Sequence, residues 1–121
     1  MNFSKLVPNV FYEDINQALT LFVDCLEFKV EHNEIQSANP FCVVGRDGLS
    51  INIFENVALA KEHSPEFRLV TKNIEEVYEK IFNAYPEFLH PNLNTVTLRP
   101  WGAKEFAIKD GQLGIIIQQW P

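Results

Sequence analysis

The sequence predicts an α+β fold, classed as α/β in some schemes, made of two tandem modules with the order strand, helix, strand, strand, strand. The same order of patterns occurs twice along the 121 residues, and each copy contains an Asp-Gly hairpin signal, Asp47-Gly48 and Asp110-Gly111. A chain of this length has room for one sizeable core. We therefore expect a single domain, residues 1–121, with a curved, mostly antiparallel sheet and pseudo-twofold symmetry.

The first predicted module covers about residues 5–55. Residues 6–12 are apolar enough for a strand, and Glu13-Asp14 offers a helix cap. The helix after it carries one apolar stripe, formed by Ile15, Ala18, Leu19, Phe22, Val23 and Leu26. Three further strands are indicated by alternation over residues 28–34 and by the runs 41–46 and 49–54, which flank Asp47-Gly48.

The second predicted module covers about residues 66–120 and repeats this plan. Residues 67–71 indicate a strand, and Asn73 stands 59 positions after Asp14 as the expected cap. The helical stripe consists of Ile74, Val77, Tyr78, Ile81 and Tyr85. Strands at 105–109 and 113–119 flank Asp110-Gly111, 63 positions after Asp47-Gly48. Residues 56–65 are expected to form a connector, a short helical turn or loop.

Charge and composition exclude some classes of partner. The net charge of -6, with no Lys/Arg cluster, argues against nucleic acid. The same field favours a cationic small ligand, although a modest acidic excess also serves solubility. No run of about 18 apolar residues and no leader-like segment occurs, so we expect a cytoplasmic protein with no membrane partner. Cys25 and Cys42 lack metal or redox spacing and are expected to be buried, reduced thiols.

One stretch resembles a known family. Residues 99–111, Arg-Pro-Trp-Gly-Ala-Lys-Glu-Phe-Ala-Ile-Lys-Asp-Gly, resemble the PWG…EF…DPDGN segment of bleomycin-resistance-like proteins. The tandem βαβββ pattern, opening with Val10-Phe-Tyr-Glu-Asp, resembles the vicinal-oxygen-chelate superfamily of glyoxalases, bleomycin-resistance proteins and extradiol dioxygenases along nearly the whole chain. The resemblance implies reversible binding of a small organic molecule, planar or cationic, by a homodimer.

Trp101 is the first candidate contact for such a ligand. Pro100 fixes the backbone before the flat indole ring, and Gly102 removes side-chain bulk beside it, which suits the aromatic wall of a pocket; a core or dimer-contact role is the alternative. Arg99 and Glu105 lie close by in sequence. We expect Glu105 to pair with Arg99 or Lys104, and a solvated surface pair of this kind contributes little energy.

Enzymes of the superfamily bind a divalent ion through His, Gln or Glu on the first and last strands of each module. Carried over by position, these ligands fall at Val7 or Pro8, Asn52, Phe67 and Ile115. An amide among apolar side chains is too weak a donor set for a divalent ion, and a register shift of one residue restores at most one carboxylate. His32, His63 and His90 lack ligand spacing and are expected on the surface. We therefore predict no metal and no cofactor.

Apolar residues at the expected metal-ligand positions predict an apolar cavity instead. This cavity is lined by Phe41, Phe54, Phe67 and Ile115, with Asn52 as its polar group and Phe11 nearby. The alternative is that these side chains pack together and close the cavity. Three functions thus stay open: metal-independent sequestration of a small molecule, which we favour; a metal-dependent glyoxalase- or dioxygenase-like enzyme; and a degenerate structural or regulatory domain.

Overall fold

The computed structural model describes residues 1–121 and contains two compact units. Residues 1–63 hold the first module and residues 64–121 hold the second. Each has the order strand, helix, strand, strand, strand, so the predicted α+β class and the tandem repeat are confirmed. Each module forms its own four-stranded mixed sheet. No helix is long and apolar enough to span a membrane.

The elements of the first module are β1 (Asn9–Tyr12), α1 (Ile15–Leu19), β2 (Lys29–Glu34), β3 (Phe41–Arg46), β4 (Leu49–Glu55) and α2 (Val57–Glu62). The strand order is β1-β4-β3-β2, with β1 parallel to β4 and the other pairs antiparallel. The helix α2 occupies most of the expected connector and begins at the cap Asn56, whose side chain accepts the Leu59 N–H at 2.9 Å.

The α1 helix starts where the sequence predicts. Asp14 accepts the backbone N–H of Asn16 at 2.9 Å, and Glu55 at the end of β4 accepts the N–H of Ile15, also at 2.9 Å. After Leu19 the chain continues as a π-helical segment, Thr20–Cys25. The wider turn shifts the apolar face of this segment. As a result, Leu21, which lies outside the predicted stripe, is fully buried, while Leu19 is only half-buried.

The predicted Asp47-Gly48 hairpin joins β3 to β4. Asp47 has φ of 52° and Gly48 has φ of 81°, both in the left-handed region that a type I′ turn requires. Arg46 pairs with Leu49 across this turn, which fixes the register of the whole strand pair. The register sets which side chains share a face, since alternate residues of a strand point to opposite sides.

The core of the first module lies on the α1 side of the sheet. Val10, Val44 and Ile53 are fully buried there, whereas Asn52 and Phe54 alternate with them and are half-buried on the other side. In each module we call the sheet face opposite the α1 or α3 helix the open face.

The elements of the second module are β5 (Glu66–Val70), α3 (Ile74–Ala84), β6 (Thr97–Leu98), β7 (Lys104–Asp110) and β8 (Leu113–Gln119), with a 3-10 turn at Pro86–Phe88. The strand order is β5-β8-β7-β6, with β5 parallel to β8 and the others antiparallel. This order repeats that of the first module strand for strand.

The start of α3 differs in detail from the prediction. Asn73 occupies the N-cap position, but its side chain does not cap the helix and instead donates to Glu76 Oε2 at 2.9 Å. The Ile74 N–H is accepted by Gln119 Oε1 at 2.8 Å, from the end of β8. In both modules the last residue of the fourth strand therefore caps the helix. This residue is Glu55 in the first module and Gln119 in the second.

The second hairpin corrects the predicted turn by one residue. Asp110 belongs to β7 and pairs with Leu113, so the turn consists of Gly111, with φ of 59°, and Gln112. Gly111 therefore corresponds to Asp47, an offset of 64 rather than the predicted 63. This correction moves every β8 position assigned by the repeat to the other face of its strand.

Candidate functional site

The two faces of the second sheet are distinguished by the contacts of α3. Tyr78 of α3 meets Phe106 edge to face, with ring centroids 5.1 Å apart, so Phe106 points to the helix side. Glu105 precedes Phe106 on β7 and therefore points to the open face, as do its cross-strand partners Gln118 and Thr97.

A tight turn places Arg99 and Trp101 beside this face. The N–H of Gly102 donates to Arg99 O at 2.9 Å, and the N–H of Arg99 donates to Ala103 O at 2.8 Å. Pro100 fits the second turn position, where its ring fixes φ. Gly102 has φ of 96°, and a Cβ there would meet nothing within 4 Å. Glycine is required here by the backbone conformation. It is not required, as the sequence predicts, to clear space beside the indole.

The carboxylate of Glu105 is the centre of the site. Its side chain is 1% exposed, and Oε2 accepts from Trp101 Nε1 at 3.1 Å and from Gln118 Nε2 at 2.6 Å. The expected solvated surface ion pair is therefore wrong, and so is the alternative pairing with Lys104, which contacts Glu75 at 3.1 Å. A buried carboxylate needs such donors, because burial without them is costly.

Two arginines compensate the charge of Glu105. Arg99 Nε lies 3.7 Å from Oε1 and Arg68 Nε lies 4.0 Å from Oε2, so the expected Arg99 pairing is present. The Arg99 guanidinium carbon also stands 4.9 Å from the centre of the Trp101 ring, a cation-π contact. The contact between Arg68 and Glu105 could not be predicted from the sequence, because β5 is remote from β7 along the chain.

A second tryptophan joins the same network. Trp120 Nε1 donates to Gln118 Oε1 at 3.0 Å, and Gln118 in turn donates to Glu105. Trp101 and Trp120 are each 49% exposed, although their N–H groups are anchored to buried partners. The open face of the second module thus presents two indoles on a fixed polar base. Only the β7–β8 register brings Trp120 here, and the sequence carries no local signal for it.

Phe67 and Ile115 are not on this face. They pair across β5 and β8, and Ile115 also pairs with Ile108, two residues along β7 from Phe106. Ile115 is fully buried in the core, with no solvent-accessible surface. The structure places both side chains on the α3 side, where Ile115 packs in the core and Phe67 is half-buried, so neither lines a cavity on the open face as expected.

The other predicted aromatic residues lie together in the first module. Phe41 and Phe54 pair across β3 and β4, with ring centroids 4.9 Å apart, and Phe54 lies 5.8 Å from Phe11 on β1. His32 approaches Phe41 and His63 approaches Phe11, each at 5.6 Å. These five rings form a row across the open face, and its two terminal histidines were predicted only as surface residues.

Polar groups adjoin the aromatic row. Asn52 Nδ2 donates to Asn9 Oδ1 at 3.1 Å on the same face. Further along, Ser50 accepts from Lys5 Nζ at 2.9 Å and donates to Glu31 Oε1 at 3.3 Å. Gly45 lies beneath this group, where an added Cβ would collide with the Glu31 carboxylate.

The strand positions that correspond to the expected metal ligands carry other side chains. Asn9 pairs with Asn52 between β1 and β4, and the corresponding pair of β5 and β8 is Arg68 and Ile116. Two amides in one module, and a guanidinium beside an alkyl chain in the other, do not fit an ion that prefers imidazole or carboxylate. No group of three or more His, Cys, Asp or Glu side chains is arranged to hold a metal.

Comparison with known proteins identifies the fold. No protein-family model matches the chain, and no curated protein matches it in sequence. A bleomycin-binding protein solved with bleomycin has a TM-score of 0.77 at 17% identity, covering 98% of this chain and 100% of its own. A glyoxalase/bleomycin resistance protein/dioxygenase superfamily member from Sphaerobacter thermophilus has a TM-score of 0.70 at 16% identity, covering 97% and 98%.

A third similar structure is the fosfomycin resistance protein FosX from Listeria monocytogenes, solved with Mn(II) and 1S,2S-dihydroxypropylphosphonic acid. Its TM-score is 0.78 at 14% identity, and the match covers 100% of this chain and 95% of FosX. At these identities the likeness concerns the fold. The protein has the fold of the glyoxalase/bleomycin resistance/dioxygenase superfamily, which confirms the fold that the resemblance implied.

Proposed function

We propose that the protein reversibly binds a small organic molecule, without a metal ion, on the open face of the second module. The observation that carries the proposal is the half-exposed Trp101, whose indole N–H is held at 3.1 Å by a carboxylate that is 1% exposed. A ring fixed in this way loses little conformational freedom when a flat ligand stacks on it, so more of the contact energy contributes to affinity.

The bound molecule in a similar structure supports this proposal. The bleomycin-binding protein holds bleomycin on the same fold. Arg99, Trp101 and Glu105 form one contact set on the second module, and Trp120 extends it. On the first module, Phe41, Phe54 and Asn52 supply a second apolar surface with an amide beside it.

Metal independence is part of the proposal. It is supported by the side chains at the Asn9–Asn52 and Arg68–Ile116 pairs, where Arg68 would place a positive charge against a divalent ion. FosX, with its Mn(II), represents the competing function, a metal-dependent enzyme on this fold. We further propose a homodimer, because a module of about 60 residues buries the open face of a four-stranded sheet poorly alone.

The test is calorimetric titration of metal-stripped protein with bleomycin and planar organic compounds. Saturable binding is expected, weakened about tenfold or more by Trp101→Ala. Phe82→Ala removes a comparably exposed ring from α3, at 53% exposure, and should leave binding unchanged. Binding that needs added Mn²⁺, accompanied by turnover, would favour the enzyme, whereas no binding under either condition would favour a structural domain. Sedimentation equilibrium tests the dimer.

A further inference from the structure

The charge exposed around Trp101 is positive, in contrast to the charge of the chain as a whole. Arg99 and Arg68 flank the Glu105 carboxylate, and their side chains are 34% and 45% exposed against 1% for Glu105. The negative charge is thus covered, while the guanidinium groups reach solvent. A ligand approaching the indole meets cations first, so the net charge of -6 is a poor guide to this surface.

Neither arginine is tightly paired. The distances to Glu105, 3.7 Å and 4.0 Å, exceed those of charge-assisted hydrogen bonds, which are near 2.8 Å. Arg99 Nε is buried and has no hydrogen-bond partner. A buried N–H without an acceptor is costly, and an incoming oxygen atom that reorients the guanidinium would relieve the cost.

Only one other carboxylate competes for these cations. Glu66 Oε1 lies 3.8 Å from Arg68 Nη1, and its side chain is 60% exposed. An exposed pair at this distance contributes little, so a ligand acid can replace it. Arg99 is therefore the main anchor, and Arg68 is a second one that Glu66 partly occupies.

We propose that this surface selects small organic acids, in which a carboxylate or similar anion is bound by Arg99 and Arg68 while a flat ring stacks on Trp101. The inference rests on the proposed function and specifies its ligand class, and it replaces the cationic ligand expected from the net charge. Arginine suits this role because its planar fork binds an acid through two parallel hydrogen bonds.

Three matched probes test the proposal: 2-naphthoate, 2-naphthamide and 2-naphthylmethylammonium. Their affinities are measured from the shifts of the two indole N–H resonances in ¹⁵N-labelled protein. The naphthoate should bind about tenfold or more tightly than the other two, and added NaCl should reduce this preference. An equal or tighter affinity for the ammonium would overturn the inference.

Variants identify the anchors. Arg99→Gln should weaken naphthoate binding about tenfold and should weaken naphthamide binding much less. Arg68→Gln, at a more exposed side chain, gives a second test should Arg99→Gln fail to fold. Glu66→Gln should tighten naphthoate binding about two- to fivefold, since it removes the competitor. Arg46→Gln is the matched control, because it removes the same charge from the first module, 2.9 Å from Asp47.

The outcomes separate the two proposals. Equal binding of all three probes, unaffected by Arg99→Gln and Arg68→Gln, contradicts selection for acids but leaves small-molecule binding at Trp101 intact. If none of the probes shifts either indole resonance, both proposals fail for this surface.

Discussion

The indole N–H of Trp101 donates to Glu105 Oε2 at 3.1 Å, which joins a side chain that is 49% exposed to one that is 1% exposed. The contact spans only four residues, yet it depends on Gln118, which donates to the same oxygen from the neighbouring strand at 2.6 Å. The site is therefore supported from inside the sheet. Its energetics can be tested separately from ligand binding.

Glu105→Ala should lower the free energy of unfolding by about 3–5 kcal/mol, because it leaves the buried Gln118 donor, the part-buried Trp101 donor and two arginines without their carboxylate. Glu105→Gln keeps an acceptor and should lose less, about 1–3 kcal/mol. Urea denaturation followed by circular dichroism measures both. A Glu105→Ala protein as stable as the parent would show that the network does not stabilise the fold.

Gly45 and Glu31 should be energetically coupled. A Cβ at Gly45 collides with the Glu31 carboxylate, which hydrogen-bonds Ser50 at 3.3 Å. In a Glu31→Ala background, Gly45→Ala should stabilise the strand by about 0.5–1 kcal/mol, because alanine restricts the unfolded chain. With Glu31 present the gain should vanish or reverse. A double-mutant cycle measures this coupling, and strictly additive effects would contradict it.

The two strand-end caps offer a matched pair. Ile15 N–H is accepted by Glu55 at 2.9 Å, and Ile74 N–H by Gln119 at 2.8 Å. Glu55→Ala and Gln119→Ala should each cost about 1 kcal/mol, because each leaves the first N–H of a helix without its acceptor. Denaturant midpoints measure the loss. Asn73→Ala is the control, since its side chain does not cap α3 and its effect should be smaller.

Glu75 provides a pH test. The pKa of this carboxyl lies below its usual 4.5. The largest cause is a hydrogen bond from the Lys104 side chain; the backbone N–H of Glu75 itself and the positive charge of Lys104 also lower it. Because the folded pKa is lowered, this stabilisation is present above about pH 4.5 and is lost as the pH falls through the folded pKa. Lys104→Gln should raise the pKa of Glu75 in a ¹³C carboxyl titration. An unchanged pKa would contradict the assigned cause.

The local elements of the fold could be predicted because their signals are local. Asp14 caps α1 through its own neighbours, and Asp47-Gly48 adopts the positive φ angles that its turn type requires. The Asp110-Gly111 turn was misplaced by one residue, because Asp110 is as compatible with a strand end as with a turn. The same offset assigned Ile115 to the open face, where Ile116 lies.

The candidate site was only half predictable. Arg99, Trp101 and Glu105 are neighbours in sequence, so their association could be inferred from the residues. The burial of Glu105 could not, since it depends on Arg68, Gln118 and Trp120, which reach it through the register of β5 and β8. Cross-strand contacts of this kind are set by tertiary pairing and leave no periodic pattern in a single segment.

The positions of Trp101 and Trp120 also determine which part of the protein tryptophan fluorescence monitors. They are the only two tryptophans of the chain, and both belong to residues 64–121. A melting curve recorded by tryptophan emission therefore reports directly on the surroundings of two side chains of the second module. Comparing that curve with ellipticity, which records both modules, would show whether the duplicated halves melt as one cooperative unit or in two steps.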